Sequence, residues 1–130
     1  MKSPLVSLLI LLTAFYLTIT AILFFTQSYF IFFPREISGN QHSFLKQFKS
    51  NEITLDHDGI SLHGWFIQNE TNPENPLIIY YGGNAEEVSM NLYDLDKFGD
   101  HSLLFMNYRG YGKSEGRPGQ DALFSDALFI

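Results

Sequence analysis

Ser114 has the most suggestive neighbours of any nucleophilic side chain in the sequence. Gly112-Lys113-Ser114-Glu115-Gly116 spells G-x-S-x-G, the pattern in which a serine on a strained turn between strand and helix becomes a nucleophile. That geometry needs a strand running straight into the serine and a helix leaving straight after it. Here the apolar run ends near Tyr108, Gly116-Arg117-Pro118-Gly119 prevents a helix at the serine, and Lys113 and Glu115 are bulky for a strained turn. Ser114 therefore reads as a loop serine. The same stretch, Asn107 to Ser114, nearly spells the phosphate-cradling G-x-x-x-x-G-K-S, but Asn replaces the first Gly, Tyr108 and Arg109 would crowd the cradle, and no helix follows. His42, His57, His63 and His101 show no ligand spacing such as H-x-x-x-H and read as loop or surface residues. Glu86, Glu87, Asp94 and Asp96 read as a solvated helix face, and Trp65, Phe66, Tyr80 and Tyr81 as core or substrate-wall residues. Cysteine is absent, which excludes disulfides and thiolate metal sites. No metal and no cofactor is expected.

Two other places hold more chemical promise, because in each an apolar run stops abruptly at glycines. Leu77-Ile78-Ile79-Tyr80-Tyr81 runs into Gly82-Gly83-Asn84-Ala85, and Ser102 to Asn107 runs into a loop rich in glycine and aromatics, Tyr108-Arg109-Gly110-Tyr111-Gly112. Both runs have strand length and the continuous apolar character of strands covered on both faces. Between them, Asn84 with Glu87 three positions later reads as a capped helix start. Val88, Leu92 and Leu95 would form its apolar stripe, and Gly99 would end it. The 31 residues from Leu77 to Asn107 suit a βαβ unit. Upstream, Glu52–Asp56 and Ile60–Gln68 alternate in polarity around His57-Asp58-Gly59, a tight-hairpin signal. Residues 69–76 read as loop. Gln41–Phe48 reads as a short amphipathic helix presenting Phe44, Leu45 and Phe48, and Asp121–Ile130 as the beginning of another helix. The fold class is α/β.

The N-terminal third is of another kind. From Ser3 to Pro34 no charged residue occurs, and Leu5–Phe25 is interrupted only by Ser7, Thr13, Thr18 and Thr20. About 20 apolar residues match a bilayer core of roughly 30 Å. A cleaved signal peptide with Lys2 as its n-region is the rival; it would have a shorter apolar core and a small-residue cleavage site. Here the stretch is long and runs into Phe24, Phe25, Tyr29, Phe30, Phe32 and Phe33, as an interfacial aromatic belt would. Residues 1–34 are thus expected to form a transmembrane anchor with residues 5–25 in the lipid, 35–51 a juxtamembrane connector, and 52–130 the folded part. With Lys2 on one side and Arg35, Lys46 and Lys49 on the other, the short leader favours a non-cytoplasmic location for the folded part. Seven of the eight basic and all fourteen acidic side chains lie beyond Pro34. That balance opposes binding to a phosphate backbone, so nucleic acid is not expected as a partner.

Asn107 to Gly116 closely resembles the loop after the fourth strand of α/β-hydrolases, and Gly82-Gly83-Asn84-Ala85 resembles their oxyanion loop after the third strand. The anchor running into Gln27-Ser28-Tyr29-Phe30-Ile31-Phe32-Phe33-Pro34, the Asp-Gly hairpin and the strand around Gly64-Trp65 are similar to the N-terminal part of membrane-anchored members, a serine aminopeptidase-like and lysophospholipase-like branch. The resemblance implies an incomplete α/β-hydrolase fold over 52–130. It implies an oxyanion hole with backbone donors at Gly83 and Asn84, and active-site loops containing Gly82, Ala85, Tyr108, Arg109, Gly110, Tyr111 and Gly112. Two positions depart from the family pattern: Gly82-Gly83 stands where His-Gly is usual, and Asn107 where Asp is usual.

A serine hydrolase needs a nucleophile, an acid and a base, in the chain order Ser, acid, His for this family. All three would follow Ile130. The sequence is therefore expected to be an N-terminal fragment with no catalytic residue of its own, inactive alone. The complete protein would cleave an ester, thioester or amide in a small-molecule or acyl substrate. The alternative is a non-catalytic, membrane-anchored interaction module. Substrate and oligomeric state are left open.

Overall fold

The computed structural model describes residues 3–130; Lys2, used above for the n-region and for orientation, lies outside the described residues. The chain divides into two units, Met1–Ile31 and Phe32–Ile130, each described by itself.

The first unit is one helix, α1 (Pro4–Ile31), of 28 residues. At 1.5 Å per residue it is about 42 Å long, and it is long and apolar enough to cross a membrane. Two of its polar interruptions, Thr18 and Thr20, and Thr26 beyond them are paired within the helix. Thr18, Thr20 and Thr26 donate their hydroxyls to the carbonyls of Ala14, Tyr16 and Ile22, four residues back, at 2.9, 2.9 and 2.7 Å. A hydroxyl so paired carries little penalty in hydrocarbon.

The second unit is built on a four-stranded sheet of order β1-β2-β4-β3. Short helical turns at Gly39–Gln41, α2 (His42–Leu45) and Lys46–Asn51 lead into β1 (Glu52–His57) and β2 (Ile60–Ile67). These strands form the expected antiparallel hairpin, with His57 opposite Ile60. Asp58 and Gly59 both take positive φ, 53° and 74°, as a two-residue hairpin turn of this twist requires. β3 (Leu77–Tyr81) and β4 (Ser102–Met106) are parallel neighbours, Leu77 against Ser102 through Tyr81 against Met106, and β2 pairs antiparallel with the other edge of β4. α3 (Gln120–Phe129) closes the chain.

Alternation along β2 and β4 sorts the core into two faces. Trp65, Leu103 and Phe105 join Val88 and Leu92, with Phe44, Leu45 and Phe48 packed on them. Leu62, Leu104 and Met106 form the other cluster, joined by Ile53, Leu55, Phe66 and Ile130. Gly64 is forced by this packing: a Cβ there would collide with the Phe105 carbonyl and Met106.

Three expectations need correction. The segment between β3 and β4 does not begin a helix at Asn84. Ala85 takes φ 64°, a left-handed conformation that breaks helical continuity. Helical turns start only at Val88 and run to Phe98 as 3-10 turns broken at Asp94, with Glu87 as the cap that accepts from the Ser89 N–H. Gly99, at φ 68°, does end the segment. Second, β3 is not covered on both faces: Leu77 and Ile79 are 46 % and 41 % exposed, because β3 is an edge strand with β4 as its one neighbour. Third, His63 and Glu87 are buried rather than on a surface.

Candidate functional site

The loops after β3 and β4 lie at the same end of two adjacent parallel strands, the position at which open α/β sheets present ligand sites. Direct bonds join them. The Tyr111 hydroxyl donates to Asn84 Oδ1 at 3.0 Å. Asn107 accepts from the Val88 N–H at 3.1 Å through Oδ1 and donates from Nδ2 to Glu87 Oε1 at 3.0 Å. The departure at Asn107 acquires a reason here. An amide can donate to the buried Glu87 carboxylate, whereas an aspartate would set two buried carboxylates against each other. Gly112, at φ 57°, fits because a Cβ would overlap the Asn107 amide.

The segment that follows α1 is stitched to both loops. The Phe33 N–H lies 3.2 Å from Asn84 Oδ1 and 3.2 Å from the Tyr111 hydroxyl, and the Gly112 N–H donates to the Arg35 carbonyl at 2.7 Å. Asn84 therefore does not use its side chain to cap a helix, as expected from sequence; it accepts from Phe33 and Tyr111. Gly83, expected as an oxyanion donor, gives its N–H to Glu86 Oε2 at 2.7 Å. The Glu86 carboxylate also accepts from the Tyr80 hydroxyl at 3.0 Å and from Asn91 at 2.8 Å. Burial pushes the Glu86 carboxyl up, and these three donors outweigh that and hold it below the usual range. Tyr81 and Tyr108 stack at 5.9 Å, with Tyr111 edge-on to Tyr108. Burial raises the Tyr81 and Tyr108 phenols, so this aromatic wall stays neutral.

Arg109 is placed differently from a substrate ligand. Its guanidinium makes two 2.6 Å bonds to Asp126 of α3. The same carboxylate meets His57 Nδ1 at 2.7 Å, and the His57 ring stacks on Phe129 at 4.4 Å. Burial raises the Asp126 carboxyl, but Arg109 and His57 outweigh it and keep it low. This triplet fixes loop, hairpin and helix to one another. Gly110, at φ 78°, completes the turn through a 3.0 Å bond to the Glu115 carbonyl.

Ser114 is buried and acts as a clamp. Its oxygen accepts from the His63 N–H at 2.9 Å, and its hydroxyl faces the Asn107 carbonyl at 3.2 Å. No serine hydroxyl is bonded to a histidine ring among the described residues. His63 instead pairs through Nε2 with Glu52 at 3.0 Å. Burial lowers the His63 imidazole despite that partner. Burial would raise the Glu52 carboxyl, but Lys113, Lys49 and His63 all bond it and pull it to about 2. No cluster of metal-ligating side chains occurs among the described residues.

Sequence reasoning missed Glu52–His63, Glu86–Gly83 and Arg109–Asp126–His57. A faint signal existed for the last: Asp126 is the one carboxylate inside the apolar run Leu123–Phe129.

No family model matches the chain. It is similar to the uncharacterized protein YfhR of Salmonella typhi, 40 % identical over 74 residues, covering 53 % of this chain and 25 % of that protein. It is also similar to the alpha/beta hydrolase domain-containing protein WAV2 of Arabidopsis thaliana, 34 % identical over 74 residues, with 54 % and 24 % covered. The lysophosphatidylserine lipase ABHD12 of Danio rerio is 41 % identical over 61 residues, covering 43 % of this chain and 16 % of that protein. Among solved structures, the α/β-hydrolase of Vibrio vulnificus superposes with a TM-score of 0.55 at 25 % identity, over 72 % of this chain and 34 % of the other. The chain spans about a quarter or less of the length of these curated relatives. The strand order, the two stitched loops and these relatives converge: the chain is similar to α/β-hydrolase-domain proteins and has an incomplete α/β-hydrolase fold.

Proposed function

We propose that this chain supplies the anchor, the oxyanion loop and the pocket floor of a membrane-anchored serine hydrolase, whose complete form cleaves an ester, thioester or amide through an acyl-enzyme. The observation that carries this reading is the stitching of the Gly82–Ala85 loop to the Tyr108–Gly112 loop, above all the bond from Tyr111 to Asn84. A catalytic loop must be held in place before charge develops on the substrate. In the proposed enzyme the backbone N–H of Asn84 donates to the oxyanion, a contribution of about 3–4 kcal/mol for one such donor. The stacked Tyr81 and Tyr108 rings wall the acyl or leaving group. Arg109 is a positioning residue, spent on Asp126. The reading places α1 in the bilayer, with the folded part on the non-cytoplasmic side.

Among the described residues no serine stands at a strand-to-helix turn, and we propose that the chain by itself does not hydrolyse. A serine-directed fluorophosphonate probe should leave it unlabelled. Ser114→Ala should change no labelling while costing about 1–2 kcal/mol, the penalty for orphaning the buried His63 N–H. Labelling that Ser114→Ala abolishes would overturn the assignment. Resistance to alkaline carbonate extraction, with an intact N-terminus by mass, tests the anchor; a soluble form starting near Phe33 would overturn it.

The exposed apolar edge of β3 favours a second reading, a module that pairs with another strand. Hydrolase labelling in a longer product that adds a true G-x-S-x-G strand would decide for the enzyme.

A further inference from the structure

The connector between α1 and β1 does more than span a gap. A cavity of about 190 Å³ opens between it and the sheet, lined by Ile37, His42, Leu45, Lys46, Lys49, Glu52 and Lys113. Three of the seven basic side chains beyond Pro34 meet there, in a region with fourteen acidic ones. One carboxylate answers them. Glu52 is bonded by Lys49 and Lys113 together and by His63, and Lys46 has no ion pair among the described residues. One negative charge against three ammonium groups leaves the cavity strongly positive in a chain of net charge −6. The Lys49 and Lys113 side chains stay 77 % and 50 % exposed, so this positive excess is open to an anion arriving from solvent or a surface.

The shape narrows the anion. A water's share of liquid volume is about 30 Å³, so the cavity has room for a polyatomic group. Ile37 and Leu45 add an apolar wall beside the ammoniums. Flexible ammonium groups without a rigid fork suit phosphate as a point charge more than they suit bidentate carboxylate recognition. Ile37 is six positions beyond the last residue of α1, so this cavity belongs to the segment that follows the anchor directly. Lysines close in sequence to a membrane anchor can reach the phosphates of lipid headgroups, which phospholipids carry in either leaflet.

We propose that this cavity binds the phosphate of an anionic phospholipid headgroup, with Lys46, Lys49 and Lys113 as the ligating side chains and Ile37 and Leu45 against the headgroup's glycerol. The site rests on the anchor reading and is independent of hydrolytic activity. It would seat the connector on the membrane surface.

The test is lysine acetylation footprinting by mass spectrometry on the full chain in nanodiscs. Incorporation into the discs checks the anchor separately, so a chain that fails to incorporate refutes the anchor and not the cavity's chemistry. In discs containing phosphatidic acid, acetylation of Lys46, Lys49 and Lys113 should fall severalfold relative to phosphatidylcholine discs, while Lys97 should not change. Lys46→Gln together with Lys49→Gln should restore acetylation of Lys113 in the phosphatidic acid discs. Inorganic phosphate added to phosphatidylcholine discs should protect weakly. Full protection by inorganic phosphate alone would replace the lipid with a soluble anion. Equal acetylation in both discs, or protection of Lys97 to the same degree, would overturn the site.

Discussion

β3 and β4 are adjacent parallel strands of five residues each, both drawn from near-continuous apolar runs, and the sheet treats them in opposite ways. Every residue of β4 is buried, since β2 covers one edge, β3 the other, and packed side chains both faces. β3 has β4 alone, and its Leu77 and Ile79 stand in the open. The contrast extends to charges. Around β2 and β4, Asp126, Glu52 and Glu87 are withdrawn from water and each has specific donors. On the helical turns Val88–Phe98, by contrast, Lys97 and Asp94 pair at 2.8 Å in full view of solvent. The lesson is that composition sets what a strand can bury, while position in the sheet sets what it does bury.

The largest expected effect lies in the core of that contrast. Phe105 is wholly buried and meets Tyr80 and Phe98 edge-on at 5.7 and 5.3 Å. Phe105→Ala should cost about 3–5 kcal/mol. Ile79→Ala, one strand away, should cost about 1 kcal/mol, because much of that side chain is already in water. Urea unfolding of the detergent-solubilised chain, followed by circular dichroism, measures both. Equal losses would break the comparison.

Next in size are the charges. Asp126→Asn leaves Arg109 with a neutral partner in a site where Asp126 is 5 % exposed, and should cost about 2–4 kcal/mol. Asp94→Asn should leave the unfolding midpoint where it was. A matched loss at Asp94 would show that the exposed side is as interdependent as the buried one.

The last effect is a pH dependence centred on Glu52 and His63. Glu52 is held at about 2 against an ordinary 4.5, so below 4.5 the unfolded chain binds the proton that the folded chain refuses. Its stabilisation is complete above pH 4.5 and disappears as the pH falls from 4.5 through 2. His63, lowered from 6.5 by burial, acts in the same direction: stability begins to fall as the pH drops below 6.5. The urea midpoint measured against pH should decline on the acid side, and Glu52→Gln should flatten the part below 4.5. An unchanged acid limb in Glu52→Gln would remove Glu52 from this account.

Some of this was legible because its cause is local. The Asp58-Gly59 turn depends on two residues that tolerate positive φ. Gly99 ends its segment for the same reason, and α1 follows from a long uncharged run. The ends of β3 and β4 were legible because a strand cannot continue through such glycine-rich sequence. Asn84 was misread because its capping pattern is real as local chemistry, but Phe33 and Tyr111 offer its side chain other partners across 51 and 27 positions. Glu87 was read as solvated because nothing near it in sequence announces Asn107, 20 positions away.

The amino-acid sequence by itself determined the apolar helix, the hairpin, the two parallel strands and the loops that end them, since each follows from side-chain period, backbone freedom or charge within a few residues. Tertiary structure alone decided that β3 lies at an edge and β4 at the centre. It also decided that Arg109 serves Asp126, that Ser114 clamps His63, and that two lysines and a histidine share the Glu52 carboxylate. These depend on which distant groups arrive within 3 or 4 Å, and at that range a buried charge or donor must find a partner or lose its solvation without return.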